Sequence, residues 1–225
     1  RITGKGFYNE YEFLIKNVNS NSQNSLNYKN GDNFYLSGLF QFNSSMPLIK
    51  NDKIFNKILT PKISLKISPS NNTRDVRNDD SRIDVNNIYA LNRLSGSNTV
   101  EGGTSLTYGV DYSILNKSGS SDIFSFKFAN NLRLKEHDDL PNISQLGSKT
   151  SNFVAETKFK PNKYLDMNYN ISTKNNLHDL NYENLSTELK INNFITNFDY
   201  LNENYGSEKN SYLLSKAVYQ LNENN

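Results

Sequence analysis

Few side chains in this 225-residue sequence are equipped for bond chemistry, and their spacing decides what remains. There is no cysteine, which removes disulfides and thiolate metal sites within the chain. The two histidines, His137 and His178, each lie beside an aspartate, Asp138 and Asp179. Neither has a serine at nucleophile spacing and no HExxH pair occurs, so no triad or zinc-hydrolase pattern stands out. Asp75, Asp79, Asp80 and Asp84 cluster in one segment. Calcium takes about 6–8 oxygen ligands, but the spacing is not that of an EF-hand, and the segment reads as a solvated acidic loop. These residues argue against an enzyme and imply no cofactor and no metal. What the chain does carry is fixed charge in regular places. Lys62, Lys66, Lys127, Arg133, Lys158 and Lys190 form basic rows that could meet phosphate groups. Asp111, Glu156, Asp166 and Glu188 share those rows, so they read as a hydrated wall of mixed sign. With a net charge of +2 and no basic run, nucleic-acid binding has no electrostatic footing.

The elements that position these charges are strands. Only 35% of the residues are hydrophobic, and Asn (39) and Ser (26) are abundant, a polarity that first suggests disorder. Yet 12% are aromatic, all Tyr or Phe, and disordered chains are poor in aromatics. Helical periodicity is weak, whereas strict two-residue alternation recurs. It is clear over 62–67 (Ile63, Leu65, Ile67), 105–114 (Leu106, Tyr108, Val110, Tyr112, Ile114), 123–135 (Phe124, Phe126, Phe128, then Leu132 and Leu134, with Asn130 interrupting), 152–160, 164–173 and 184–191. In these six segments Lys62, Lys66, Asp111, Lys127, Arg133, Lys135, Glu156, Lys158, Lys160, Asp166, Glu188 and Lys190 all fall on the polar row and none on the apolar row. Each strand therefore separates a dry face from a wet one. Further strands are expected at about 7–16, 33–42, 194–201 and 212–221, with a short one at 26–29 turning at Asn30 and Gly31.

From Lys62 onward the connections alternate in length: 68–103, 136–151, 174–182 and 202–211 are long, and 116–121, 161–163 and 192–193 are short. In an up-and-down meander this puts the long loops at one end. No apolar run approaches the ~18 residues of a helical membrane span. Soluble antiparallel sheets also alternate, but three features favour a membrane: strand lengths near the ~9–11 residues of a tilted membrane strand, the plain meander, and loop asymmetry of the kind transmembrane barrels show. The expected fold is all-β, an antiparallel up-and-down transmembrane β-barrel, present in part as ten or eleven strands of a larger one. Residues 1–225 are read as part of one outer-membrane barrel domain cut from a longer protein. Tyr108, Tyr112, Tyr164 and Tyr169 on the dry row suit interfacial girdles.

The segment LTPKISLKISPS, then NDDSRIDV, then ALNRLSGSNTVEGGTSLTYGV resembles the barrel of the lipopolysaccharide (LPS)-assembly outer-membrane protein, the LptD family. The matching residues are Pro61, Ser68, Pro69, Asp79, Asp80, Ser81, Leu91, Asn92, Arg93, Ser95, Gly96, Glu101, Gly102, Gly103, Tyr108 and Gly109. LRLKEHDDLP and KPNKYLDMNY resemble alphaproteobacterial members. Leu94 stands where Phe is usual, and Asn98 and Thr99 stand where Asp and Arg are usual. The resemblance implies LPS transport and insertion into the outer leaflet of the cell outer membrane. It also implies an LptE-like lipoprotein plug and a periplasmic LPS bridge protein docked through an N-terminal jellyroll. That jellyroll and the closing strands are read as absent here, and the lipid bilayer is the remaining partner. A general porin or receptor barrel is the alternative, and a surface β-sheet adhesin a weaker one. Asp80, Ser81, Asn92, Arg93, Gly96, Glu101, Gly102 and Gly103 form the family-motif loop. Its functional reading is a segment folded over or into the lumen. Its structural reading is an Arg93–Glu101 pair with glycine turns closing the mouth.

Overall fold

The structure is a computed structural model that describes residues 3–4, 6–26, 28, 30–69, 75–117, 122–205 and 208–220. It is all-β: β1 (Tyr8–Ser22), β2 (Gly31–Ser45), β3 (Leu48–Asn51), β4 (Phe55–Ser68), β5 (Gly103–Asn116), β6 (Asp122–Arg133), β7 (Phe153–Asn162), β8 (Leu165–Thr173), β9 (Leu180–Ile191), β10 (Phe194–Tyr205) and β11 (Glu208–Tyr219). They form one 11-stranded antiparallel sheet in the order β1-β2-β4-β5-β6-β7-β8-β9-β10-β11, with β3 on the free flank of β4. The sheet is open, and β1 and β11 each have a single strand neighbour among the described residues.

The polarity of this sheet is the reverse of that in a soluble protein. Along β4, Ser64 and Lys66 are 2% and 3% exposed, while Ile63 and Ile67, which flank them on the other row, are 44% and 41% exposed. The register carries the pattern across: Val110 pairs with Phe128, Tyr112 with Phe126, Phe159 with Met167 and Leu165 with Leu189, forming one apolar face. Phe13, Ile15 and Phe34 extend it onto β1 and β2 as exposed side chains. Ring pairs such as Tyr112 with Phe124 (6.2 Å) and Phe128 with Phe153 (5.8 Å) tile that face rather than a core. Lys127 opposite Glu156 and Asp166 opposite Glu188 mark the polar face.

Three expectations change. Residues 26 and 28 are not in a strand, and residues 27 and 29 lie outside the described residues. The Tyr28 hydroxyl is held instead by the Asn98 side chain from a distant loop. The strand β3 was not anticipated. It pairs with the first part of β4 (Leu48 with Leu59, Asn51 with Asn56), because β2 covers only the later part, from Lys62 to Ile67. The long loop expected at 202–211 is overturned: β10 and β11 stay paired from Phe194–Tyr219 out to Tyr205–Glu208. That segment is polar on both rows, so alternation stops although the ladder continues.

Candidate functional site

The connection between β4 and β5 and that between β6 and β7 fold back onto the polar face instead of standing off it. Local turn chemistry shapes the first. Asp84 accepts from the backbone N–H groups of Asn86 (2.7 Å) and Asn87 (2.9 Å), and Ile88 N–H donates to the Asp84 carbonyl (3.0 Å), closing one tight turn. The two loops then zip together, Val76 N–H donating to the Asp139 carbonyl and Asn142 N–H to the Arg77 carbonyl (3.0 Å each). Between loops and wall lies the main apolar cluster: Val76, Ile83, Ile88, Leu94, Leu140 and Leu146, seated on Ala129 and Val154. Gly109 of β5 leaves the room that Tyr89 occupies; a Cβ there would sit 2.4 Å from the tyrosine oxygen and 2.3 Å from the Phe128 carbonyl.

Glu101, fully buried, is the electrostatic centre. Its Oε2 accepts from Arg93 Nε (2.7 Å) and Lys66 Nζ (3.2 Å), and its Oε1 from Arg133 Nη2 (2.7 Å) and from Arg93 Nη2. Three cations on one carboxylate leave an excess of positive charge. Carbonyl oxygens take it up: Ala90 accepts from Lys66 (2.8 Å), Gly102 from Arg133 Nη1 (2.7 Å) and Leu146 from Arg133 Nε (2.9 Å). Burial alone would raise the Glu101 carboxyl, but Arg93, Lys66 and Arg133 outweigh it and hold the group well below the usual carboxylate range. Arg93 also donates to Asn131 Oδ1 (2.8 Å) and Ser105 Oγ (3.1 Å), so one loop residue and one carboxylate tie the loop to β4, β5 and β6.

The other motif residues support this arrangement. Asn92 closes the segment from within: its Nδ2 donates to the Thr99 carbonyl (3.0 Å) and its Oδ1 accepts from Glu101 N–H (3.1 Å). The carbonyl of Gly96 accepts from Thr99 Oγ1 (2.7 Å) and N–H (3.2 Å), forming the turn between them. Ser81 bonds Ser95 through their hydroxyls (3.0 Å). Asp80 lies at the surface, 3.4 Å from Arg82. Gly103 has φ +89, and a Cβ on it would meet Arg133 Nη1 at 2.7 Å, so only glycine fits without displacing the arginine. Of the basic row, Lys66 and Arg133 join Glu101. Lys62 pairs with Asp111, Lys127 (3.0 Å) and Lys158 (3.4 Å) with Glu156, and Lys190 (2.7 Å) with Glu188. The Asp75 carboxylate is engaged with Arg77 (2.5 Å) and His137 lies 3.7 Å from Asp139.

Sequence reasoning missed how far the loop reaches. The Tyr89 carbonyl accepts from Gln41 on β2 (2.7 Å) and the Thr99 carbonyl from Lys16 on β1 (3.1 Å). At the other side Arg82 donates to Glu203 on β10 (2.5 Å) and lies over the Tyr182 ring of β9 at 5.5 Å. Asn130, expected as an interruption of the apolar row, has a role the alternation did not give: its Nδ2 caps the Ser151 (2.9 Å) and Asn152 (3.1 Å) carbonyls where the β6–β7 ladder ends. The available signal was the misplaced residue itself: an amide on the dry row, and Ala129 and Val154 on the wet one.

Comparison with known proteins agrees with this architecture. No curated protein matches the chain. A family model described as "LptD: LPS transport system D" matches residues 14–224, from within β1 through β11. The chain belongs to the LptD family, LPS transport system D.

Proposed function

We propose that this chain forms part of the wall of an outer-membrane β-barrel through which LPS passes, with the 69–102 loop as an inner gate latched by Glu101. Transport and assembly of LPS at the outer membrane follow from the family. The inverted sheet carries the rest of the reading: its exposed apolar rows suit hydrocarbon, while its charged and amide rows suit a hydrated passage for a sugar–phosphate headgroup. The open edges on β1 and β11 support further strands completing the wall, because unpaired backbone in lipid costs several kcal/mol per group. An LptE-like lipoprotein within the barrel and a periplasmic bridge reached through an N-terminal jellyroll complete the scheme. The reaction is conduction and lateral release, with no bond made or broken.

The test is photo-crosslinking in cells. A crosslinker at Asn184 or Lys127, on the polar face, is expected to capture LPS, and one at Phe126 or Leu189, on the apolar face, phospholipid. Capture of protein neighbours at Phe126 and Leu189, or free passage of small solutes without LPS capture, would refute the reading.

A further inference from the structure

The turn between β3 and β4 and the turn between β5 and β6 meet at the short-turn end, where Lys117 N–H donates to the Ile54 carbonyl (3.1 Å). Lys50 of β3 lies directly opposite Lys57 of β4, on the same lipid-side row as Leu59 and Ile63. Like charges opposite each other on a ladder repel. The carboxylate that answers them is Asp52, 2.8 Å from Lys57 Nζ. The hydrogen bond from Lys57, then the charges of Lys57, Lys50 and Lys117, hold its carboxyl below the usual carboxylate range. Three lysines therefore share one anion, and Lys53 adds a cation within the turn. Asp122, the acid that follows Lys117 in the chain, pairs with Leu115 on the row turned away from lipid. The β7–β8 turn, by contrast, balances Lys160 with Asp166 at 2.6 Å.

Two residues farther along the ladder, on the same face, Leu48 (45% exposed) lies opposite Leu59 (39% exposed), and Leu59 lies opposite Tyr112. β3 has no strand on its other flank among the described residues, so this corner is open to the bilayer. An excess of positive charge at a membrane boundary, with apolar side chains and a tyrosine directly inward of it, matches an amphiphile with an anionic head. We infer that Lys50, Lys57 and Lys117 form a site for the phosphate of an anionic phospholipid whose acyl chains run along Leu48, Leu59 and Tyr112. Short turns of outer-membrane barrels face the periplasm, so the lipid belongs to the inner leaflet. A zwitterionic headgroup brings a cation with its phosphate and leaves the lysine excess uncompensated. A free phosphate or an acidic peptide leaves the leucine rung unused. The bound anion also relieves the repulsion between Lys50 and Lys57 and so steadies β3 on the flank of β4. This assignment rests on the proposal that the apolar face meets lipid.

The experiment uses the full-length protein with its natural partners in phosphatidylcholine nanodiscs, carrying a photo-crosslinker at Ile54 or, for reference, at Phe126. Headgroup-labelled phosphatidylglycerol or phosphatidylcholine is added at rising mole fraction and its capture is measured. At Ile54 phosphatidylglycerol capture is expected to saturate at low mole fraction, while phosphatidylcholine capture rises in proportion; at Phe126 both rise in proportion. Lys50→Gln and Lys117→Gln are each expected to raise the half-saturating fraction about fivefold. Asp52→Asn removes the competing carboxylate and is expected to lower it. Lys209→Gln, on β11 at the opposite end, is expected to leave it unchanged. Heat-modifiable gel migration establishes that each variant is folded. Four results overturn the site: proportional capture of phosphatidylglycerol at Ile54, unchanged half-saturation in folded Lys50→Gln and Lys117→Gln, a raised value in Asp52→Asn, or preferential capture of LPS over phosphatidylglycerol at equal phosphate. Where Phe126 still captures lipid, the membrane reading stands without the site. Capture of lipid at neither position overturns that reading itself, and the phospholipid assignment with it.

Discussion

Replacing Glu101 with glutamine tests the gate at its centre. The substitution keeps the side chain's shape and removes its charge. In the wild-type protein Arg93, Arg133 and Lys66 converge on this carboxylate, all of them buried. Removing one partner of a buried ion pair costs about 3–5 kcal/mol, chiefly because the remaining charge is stranded. Here three cations lose their shared anion, so the upper part of that range applies. Elsewhere the loop is held by single hydrogen bonds worth about 0.5–1.5 kcal/mol each, by the Arg82–Glu203 pair and by a small apolar footing on Ala129 and Val154, and the loss should therefore appear as local opening. At 1.4 kcal/mol per factor of ten, the open population rises on the order of 10³-fold. Arg77 and Arg82 offer trypsin sites within the loop. Where opening and closing are fast, cleavage follows the open population, so the digestion rate of the full-length protein in outer-membrane vesicles reads the change directly. A second substitution gives a sign test. Lys66→Met alone should speed cleavage, but added to Glu101→Gln it should slow it, since it removes one of the stranded cations. Digestion of Glu101→Gln within about threefold of wild type, or additive effects of the two changes, would refute the reasoning.

Three further outcomes are expected. Because the Glu101 carboxyl is held below its unfolded value of about 4.3, its contribution is complete above that value and fades only as pH falls through the lower folded one; trypsin-site protection, followed by hydrogen exchange, should be flat from about pH 6 to about pH 4.5 and fail only in stronger acid. Gly103→Ala combines a positive φ with a Cβ against Arg133 and should cost about 1–3 kcal/mol, seen as a lower temperature for loss of heat-modifiable migration; an unchanged temperature means that the arginine yields freely. Val110→Arg places a charge on the apolar face and should impair insertion into lipid vesicles by about 2–4 kcal/mol near the midplane. Ser113→Arg, which pairs with Ser125 on the polar face, should cost little, and equal costs would dismiss the membrane assignment.

Alternation made the two faces legible because a strand between lipid and water obeys a period of two wherever both solvents are present. The rule fails where that contrast disappears. Residues 202–205 pair as regularly as the rest of β10, yet their sequence looks like a loop because both rows are polar. β3 is too short to show a period. The pairing of Arg93 with Glu101 was readable from opposite charge in a glycine-dotted segment. The entry of Arg133 and Lys66 was not, because those partners are brought in by register: Ser105 of β5 lies between Lys66 of β4 and Arg133 of β6, directly opposite each. A sequence places a cation on a row, and only the ladder places two rows' cations at one height.

The same register explains why the loops carry the apolar core. The lipid-side row is exposed in this sheet, so the usual burial of strand side chains against a second layer is not what organises the polar face. Val76, Ile83, Ile88 and Leu94 from one loop and Leu140 and Leu146 from the other bury one another, while the wall contributes only Ala129 and Val154. That cluster is non-directional and would tolerate sliding. The Glu101 group is directional: Arg93 reaches Ser105 and Asn131, and Arg133 reaches Leu146 and Gly102, on fixed geometry. Apolar packing thus gives the loops cohesion with each other, and the ionic group gives them position on the wall. Loops attached in this way separate from the wall chiefly by breaking polar links, and uncover only the part of their cluster that rests on Ala129 and Val154. An equally large apolar footprint on the sheet would forbid that, because the wall would then expose a greasy patch to the passage each time the loop lifted.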